Sequence, residues 1–347
     1  MVKLIQINDY TQRYEKIKAL IQEKTVKKLQ LHYSDDIVTS VNSVLLKKLN
    51  SSSYSLEIFL LDITWQISGE IPTEIELAEL FFPIKLFFIG TVYQDKLLDS
   101  PSSVKPKELV TTLGANNCLL FGNILYCDAI IFLIENLAPL GIKIEQKEII
   151  EFLNKLVSNV MSTEINRRNN IGKILSLEEF FTIWRKLNPY IYFIKLGCLL
   201  GGSETFASKV LLKIAENIMI VSRINKEISE TYGLLGDLNE KLKVKPPPLP
   251  ITLAYESANP EEKKELEKAV QELSTNVVKS TSSNEMEEEP IKVLVKYISK
   301  YNAIVEALHI HQELIQKTEE FATQISNPNH HKLLNKFIDS MKIINHK

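Results

Sequence analysis

Apolar residues recur along this chain at intervals of three and four, which is the pattern of helices with one buried face. Ala207, Leu211, Ile214, Ile218, Val221, Ile224 and Ile228 make the cleanest stripe and predict one long helix over 205–232. Ile17, Leu20, Ile21, Val26 and Leu29 predict another over 12–31. The same periodicity predicts helices at 36–49, 56–67, 74–98, 114–137, 145–162, 176–201, 260–273, 290–323 and 330–344. Breakers fall between them: Ser51-Ser52-Ser53, Pro101 and Pro106, Asn169-Asn170-Ile171-Gly172, Pro246-Pro247-Pro248 and Asn327-Pro328-Asn329. No run of alternating β-branched residues bounded by turns is present. The chain reads as all-α, with about ten to twelve helices.

Two segments need separate treatment. The most apolar stretch, Leu119 to Ile134, contains Asn123 and Asp128 and is short for a bilayer span, so it reads as a core helix. Residues 274–290 run from serines and Asn284 into Glu285-Met286-Glu287-Glu288-Glu289, and read as a mobile acidic loop. The 246–250 Pro/Leu/Pro stretch is read as a connector between helices rather than a polyproline ligand.

Composition narrows the function. Only 11 of 347 residues are glycine, which weighs against dinucleotide and phosphate-loop folds. Lys+Arg (41) and Asp+Glu (43) nearly balance, so no basic field invites nucleic acid. No histidine lies between His32 and His309, which disfavours zinc hydrolase and Ser-His-Asp chemistry. Adjacent His330-His331 reads as exposed, and His309/His311, two apart on a helix, as a poor metal pair. Cys118, Cys127 and Cys198 read as buried free thiols in a reducing, intracellular compartment, cytoplasmic or organellar, a mitochondrial one included. The N-terminus lacks the apolar core of a signal peptide, and no transmembrane segment is expected.

Asp95 and Asp99 are four apart at the end of an apolar helix, so their carboxylates share a face and could hold Mg²⁺. The order of segments around them is more informative. Tyr93-Gln94-Asp95-Lys96-Leu97-Leu98-Asp99 is followed by Gly114-Ala115-Asn116-Asn117 and Gly122-Asn123, then Ser162-Thr163-Glu164 and Leu196-Gly197. Val221-Ser222-Arg223-Ile224-Asn225-Lys226-Glu227-Ile228-Ser229, Tyr232-Gly233, Asp237-Leu238 and Leu249-Pro250 come next. From about residue 40 to the end this succession resembles the trans-polyprenyl diphosphate synthases of the isoprenoid synthase family. The resemblance implies one all-α domain over 1–347, a helical bundle around a central cavity. In that family two aspartate-rich motifs hold Mg²⁺ against an allylic diphosphate, whose ionisation gives a carbocation that isopentenyl diphosphate attacks. A leaving diphosphate carries about three negative charges, and clustered carboxylates gather the metals that neutralise it.

The departures are systematic. In the first motif Asp95 and Asp99 match, but Lys96 replaces the second aspartate. In the second, Asn225, Lys226 and Ser229 replace three aspartates, and Val221-Ser222 replaces Phe-Gln. The basic site for isopentenyl diphosphate falls on Ser51-Ser52-Ser53-Tyr54, Phe88 and Val104-Lys105; Lys105, Arg185 and Lys186 are the remaining candidates for phosphate contact. Lys96 or Lys226 could fill the vacated metal position beside Asp95 or Asp99, or Lys226 could pair with Glu230 on the surface. These losses resemble the aspartate-poor second subunit of heteromeric decaprenyl- and solanesyl-type synthases. They imply a chain inactive alone, with no cofactor, that stabilises or tunes an aspartate-rich catalytic subunit, with residues 114–137 at the interface. Two alternatives stay open. One is a diverged Mg²⁺-dependent prenyltransferase or terpene synthase built on Asp95, Asp99 and Glu164. The other is a helical scaffold, self-associating or holding a prenyl lipid in its cavity.

Overall fold

The computed structural model describes residues 7–35, 38–39, 42–43, 52–69, 71–98, 115–137, 139, 144–233, 242–243, 245–275 and 285–342, with only the backbone at 7–11, 52–55, 92–93, 95–98, 115–116, 118, 146, 229–230, 232–233, 275 and 285–288. Among the described residues there are thirteen helices and no strands. They are α1 (Ile7–Gln30), α2 (Ser52–Ser68), α3 (Glu74–Leu98), α4 (Ala115–Leu137), α5 (Gln146–Asn169), α6 (Leu177–Lys186) and α7 (Pro189–Leu200). After them come α8 (Phe206–Gly233), α9 (Leu249–Ser257), α10 (Pro260–Thr275), α11 (Glu285–Lys300), α12 (Ala303–Ala322) and α13 (Pro328–Met341). The helix expected over 36–49 lies mostly outside the described residues.

Local chemistry explains where the helices differ from the periodicity. The single helix expected over 176–201 is two, α6 and α7, because Asn188 caps a new start: its Oδ1 accepts from the Tyr190 N–H at 2.9 Å, and Pro189 follows at the first helical position. Its Nδ2 donates to the Ala215 carbonyl at 2.8 Å, so the cap also fastens α7 to α8. The helix expected over 290–323 divides at Asn302, whose left-handed backbone (φ 49°) ends the regular pattern between α11 and α12. Pro248 caps α9, a helix the connector reading of 246–250 missed. Helix α11 begins at Glu285, inside the segment read as a loop; residues 276–284 of that segment lie outside the described ones.

Helix α3 is the centre of the first core. From Leu80 to Gly90 it is apolar except for Pro83 and Lys85, and nearly every side chain there is buried. Pro83 has no N–H for the Glu79 carbonyl, and the Asn136 amide of α4 supplies one at 2.7 Å. The Asn136 Oδ1 in turn accepts from Lys28 of α1 at 2.8 Å, so one asparagine joins three helices. Helices α3 and α4 cross at Gly90 and Gly122, where a Cβ on Gly90 would lie 2.9 Å from the Gly122 carbonyl oxygen. Arg13 of α1 grips the fully buried Asp62 of α2 with two contacts of 3.2 Å and donates to the Pro72 carbonyl at 2.5 Å. Burial pushes the Asp62 carboxyl up and Arg13 opposes the shift.

A second core forms among α9, α10, α11 and α12. Helix α8 serves both. Ile214, Ile218 and Val221 face the first core, and Ile220 and Ile224 face the second. It holds the second core through Glu227, a buried carboxylate that accepts from the Arg223 Nε at 2.5 Å and from the Leu249 N–H at the start of α9 at 2.7 Å.

Three expectations about burial are corrected. Helix α4 is not a core helix all round: Leu120 is 59% exposed, and Ile124, Ile131 and Ile134 are also exposed. Leu119–Leu137 is the one described helix long and apolar enough to cross a membrane, and 39% of that window is buried here. Cys127 lies on the same outer face and is exposed, whereas Cys198 is half-buried; both are free thiols. His330 is buried, not exposed, with its ring edge-on to Phe59.

That burial gives a pH-dependent stability. Loss of hydration holds the His330 imidazole down at about 4, against 6.5 when unfolded. Between those values the unfolded chain binds a proton that the folded chain does not. The contribution is therefore complete above pH 6.5 and lost as pH falls towards 4, by about 3 kcal/mol. In urea unfolding, the stability of wild type relative to His330→Gln should shrink by roughly that amount between pH 7 and pH 4. A difference that stays constant with pH would refute it.

Candidate functional site

A cavity of about 230 Å³ lies between the two helices that carry the motif positions. Lys85, Phe88, Ile89 and Thr91 of α3 form one wall and Met219 of α8 another; Glu57, Val160, Glu164, Trp184, Leu187 and Pro189 complete it. Two ion pairs border the space. Lys85 donates to both oxygens of Glu57, at 2.9 and 2.6 Å, with both side chains buried. Glu164 takes both the Nε and a terminal nitrogen of Arg167 at 2.8 Å.

The positions expected for the second motif lie on α8, and one of them, Asn225, is hydrogen-bonded within the protein. Asn225 donates through Nδ2 to the Met341 carbonyl, the last residue of α13, at 3.0 Å. His311 of α12 contacts the same carbonyl through Nε2 at 3.2 Å. A carbonyl only accepts, so the imidazole proton belongs on Nε2. Burial lowers the basicity of His311, and the contact with the Met341 carbonyl opposes the shift. Ser222 and Asn225 line a second cavity of about 210 Å³ with Leu56, Tyr190, Phe337, Ser340 and Met341. The end of α13 is thus fastened to the face of α8 that carries Asn225.

Other candidates fall apart from this arrangement. Lys226 is exposed on α8. Arg185 and Lys186 are exposed in the last turn of α6, and Arg185 lies 5.8 Å from the Phe181 ring centroid. Trp184 carries the Arg223 guanidinium over its face at 3.9 Å. Asp95 and Lys96 stand in the last turn of α3, but their side chains, all of Asp99 and Lys105, the Ser229 side chain and the Lys226–Glu230 pairing lie outside the described residues. His309 and His311 make no metal pair, since His311 is buried against Met341 while His309 is two residues away on another face.

The α8 donor set does not fit Mg²⁺. Asn225 presents its amide N–H to a protein carbonyl, Ser222 is a neutral hydroxyl and Lys226 is a cation. Glu164, the third ligand of the diverged-enzyme alternative, is neutralised by Arg167. No group of three His, Cys, Asp or Glu side chains that could hold a metal occurs among the described residues.

The sequence reading missed the Glu57–Lys85 pair and the Glu227 anchor. A signal for the first was present, since Lys85 is the one charge between Leu80 and Gly90 and a charge in such a run must find a partner. Glu227 carried no signal, because its neighbours Asn225 and Lys226 suggest a solvated face.

No known family model matches the sequence, and no curated protein matches it. Solved structures do. A decaprenyl diphosphate synthase from Rhodobacter capsulatus superposes with a TM-score of 0.72 at 11% identity, covering 96% of this chain and 98% of that one. A polyprenyl synthase from Caulobacter crescentus, complexed with calcium and isoprenyl diphosphate, gives 0.69 at 13%, covering 98% of each. An octaprenyl pyrophosphate synthase from Helicobacter pylori gives 0.65 at 18%, covering 93% and 99%. The chain has the all-α fold of the trans-polyprenyl diphosphate synthases over nearly its whole length.

The clamp on Met341 makes a prediction. Asn225→Asp sets a carboxylate against a carbonyl in place of a donor, and should cost about 1–3 kcal/mol of stability at neutral pH. Thermal unfolding of the two proteins measures it. An aspartate accepted without loss would show that Asn225 does not hold α13.

Proposed function

We propose that this chain is a non-catalytic subunit of a polyprenyl diphosphate synthase, acting in isoprenoid biosynthesis by stabilising or tuning an aspartate-rich catalytic partner. The observation that carries the reading is Asn225, a motif residue whose amide is committed to the backbone of α13. Ionising an allylic diphosphate without its metals forfeits several kcal/mol of charge stabilisation. At 1.36 kcal/mol for each factor of ten, such a loss removes most of the rate. Glu164 offers no rescue, being paired with Arg167. Free thiols at Cys127 and Cys198 fit a reducing, intracellular compartment.

The outer face of α4 supplies the docking surface. Leu120, Ile124, Cys127, Ile131 and Ile134 are exposed at spacings of four, three, four and three, with exposed Asn117 one heptad before Ile124. Ile124 and Ile131 alternate with Leu120, Cys127 and Ile134 at the spacing of a two-helix seam, and Asn117, in the row of Ile124 and Ile131, would set its register. The inner face of α4 is packed on α3 through Phe121, Leu125 and Phe132, so the helix stays in the bundle. We assign the seam to the matching helix of a second subunit with this fold. The aspartate-rich partner is favoured over a second copy because the catalytic carboxylates must come from elsewhere.

The test is incorporation of labelled isopentenyl diphosphate into an allylic primer with Mg²⁺, by this chain alone and by this chain co-expressed with an aspartate-rich homologue. The expected result is silence alone and higher activity or longer products in the mixture, lost in Ile124→Glu/Ile131→Glu. Turnover by the chain alone would overturn the proposal. So would a homologue indifferent to its presence.

A further inference from the structure

We infer that α13 is a strap across α2 and α8 that acid releases, through His330 at its start and His311 beside its end. The inference goes beyond the proposed function and holds whether or not the chain is catalytic.

The strap runs from Pro328 to Met341 and buries Leu333, Leu334 and Ile338. Phe337 lies against Phe59 of α2, with ring centroids 5.8 Å apart. Two cavities adjoin its last turn, one of about 210 Å³ at Ser222 and Asn225 and one of about 470 Å³ at His311 and Ile315. That end is therefore held less by packing than by polar contacts. The Met341 carbonyl takes Asn225 and His311, and Lys342 bridges Glu319 at 2.7 Å and Asp339 at 2.8 Å. Undocking would uncover the face of α8 that carries Asn225.

Both imidazoles are buried, His330 at 4% exposure and His311 at 2%. His330 is the third residue of α13 and stands edge-on to the Phe59 ring, which Tyr14 of α1 also meets edge-on. A proton on His330 would place a charge among rings and at the positive end of the helix dipole. No carboxylate offsets it. On α2, Glu57 and Asp62 flank Phe59 in sequence but are held by Lys85 and Arg13, and on α13 the neighbours His331 and Lys332 bring no negative charge. Burial is the cause of its lowered basicity. His311 shares the Met341 carbonyl with Asn225 of α8, and the charges around its cavity are Glu319 of its own helix and Lys342, which Glu319 and Asp339 share. Its Nδ1 is buried with no hydrogen-bond partner, so a second ring proton finds no acceptor there. Its Nε2 contact survives protonation, so His311 contributes less than His330.

The released helix exposes both rings to water and binds protons that the docked helix does not. Release is therefore favoured as pH falls through 6.5, and the effect of His330 is complete below about 4. From pH 7 to pH 5, His330 alone should raise the opening constant about 20-fold. Hydrogen–deuterium exchange read by mass spectrometry, corrected for the intrinsic pH dependence of exchange, measures that opening. Peptides of α13 should lose protection at least about tenfold more than peptides of α9, which lies in the second core. The excess should vanish in His311→Gln/His330→Gln, whose glutamine at 311 keeps a donor for Met341. His330→Gln alone should remove most of it, and decides the matter where the double variant shows no cooperative melt. Equal loss of protection in α13 and α9 would overturn the inference, as would an excess that persists in the variants.

Discussion

Helix α3 has almost no polar side, and the rest of the first core exists to cover it. Between Leu80 and Gly90 its backbone is surrounded by Leu, Phe and Ile, so it is stable only with neighbours on every flank. Helix α4 lies closest, drawn in where Gly90 meets Gly122, while α1, α2 and α7 close the remaining sides. Each irregularity in α3 then demands an answer from a neighbour. Pro83 leaves a carbonyl that Asn136 satisfies, and Lys85 is a charge that Glu57 neutralises.

Helix α8 solves a different problem. It belongs to two cores, so its polar positions are the ones left between them. In a metal-binding version those positions would face a cavity and carry carboxylates. Here they fasten the chain to itself: Asn225 to the end of α13, and Glu227 to Arg223 and the start of α9. A carboxylate needs a cation or several donors when water is excluded, whereas an amide needs only one carbonyl and one further contact. Asn225 meets half of that need: its Nδ2 donates to the Met341 carbonyl, while its Oδ1 is buried without a hydrogen-bond partner.

The sequence by itself determined that this is a bundle of helices, where most of them lie, and which residues, Asn225, Lys226 and Ser229, stand on the second half of its longest helix. Each of these is a local property: period, breaker or residue identity read at one position. Even the misplaced boundaries had local causes, Asn188 before Pro189 and the left-handed Asn302, that periodicity alone does not register. Tertiary structure decided what the sequence could not: that Lys85 meets Glu57 across 28 residues, that Asn225 meets the Met341 backbone across 116, that His330 is buried, and that one face of the apolar helix α4 is left bare. The reason is that a polar group's role depends on which partner reaches it once water has gone. That partner comes from a distant turn of the chain, and no spacing along the sequence names it.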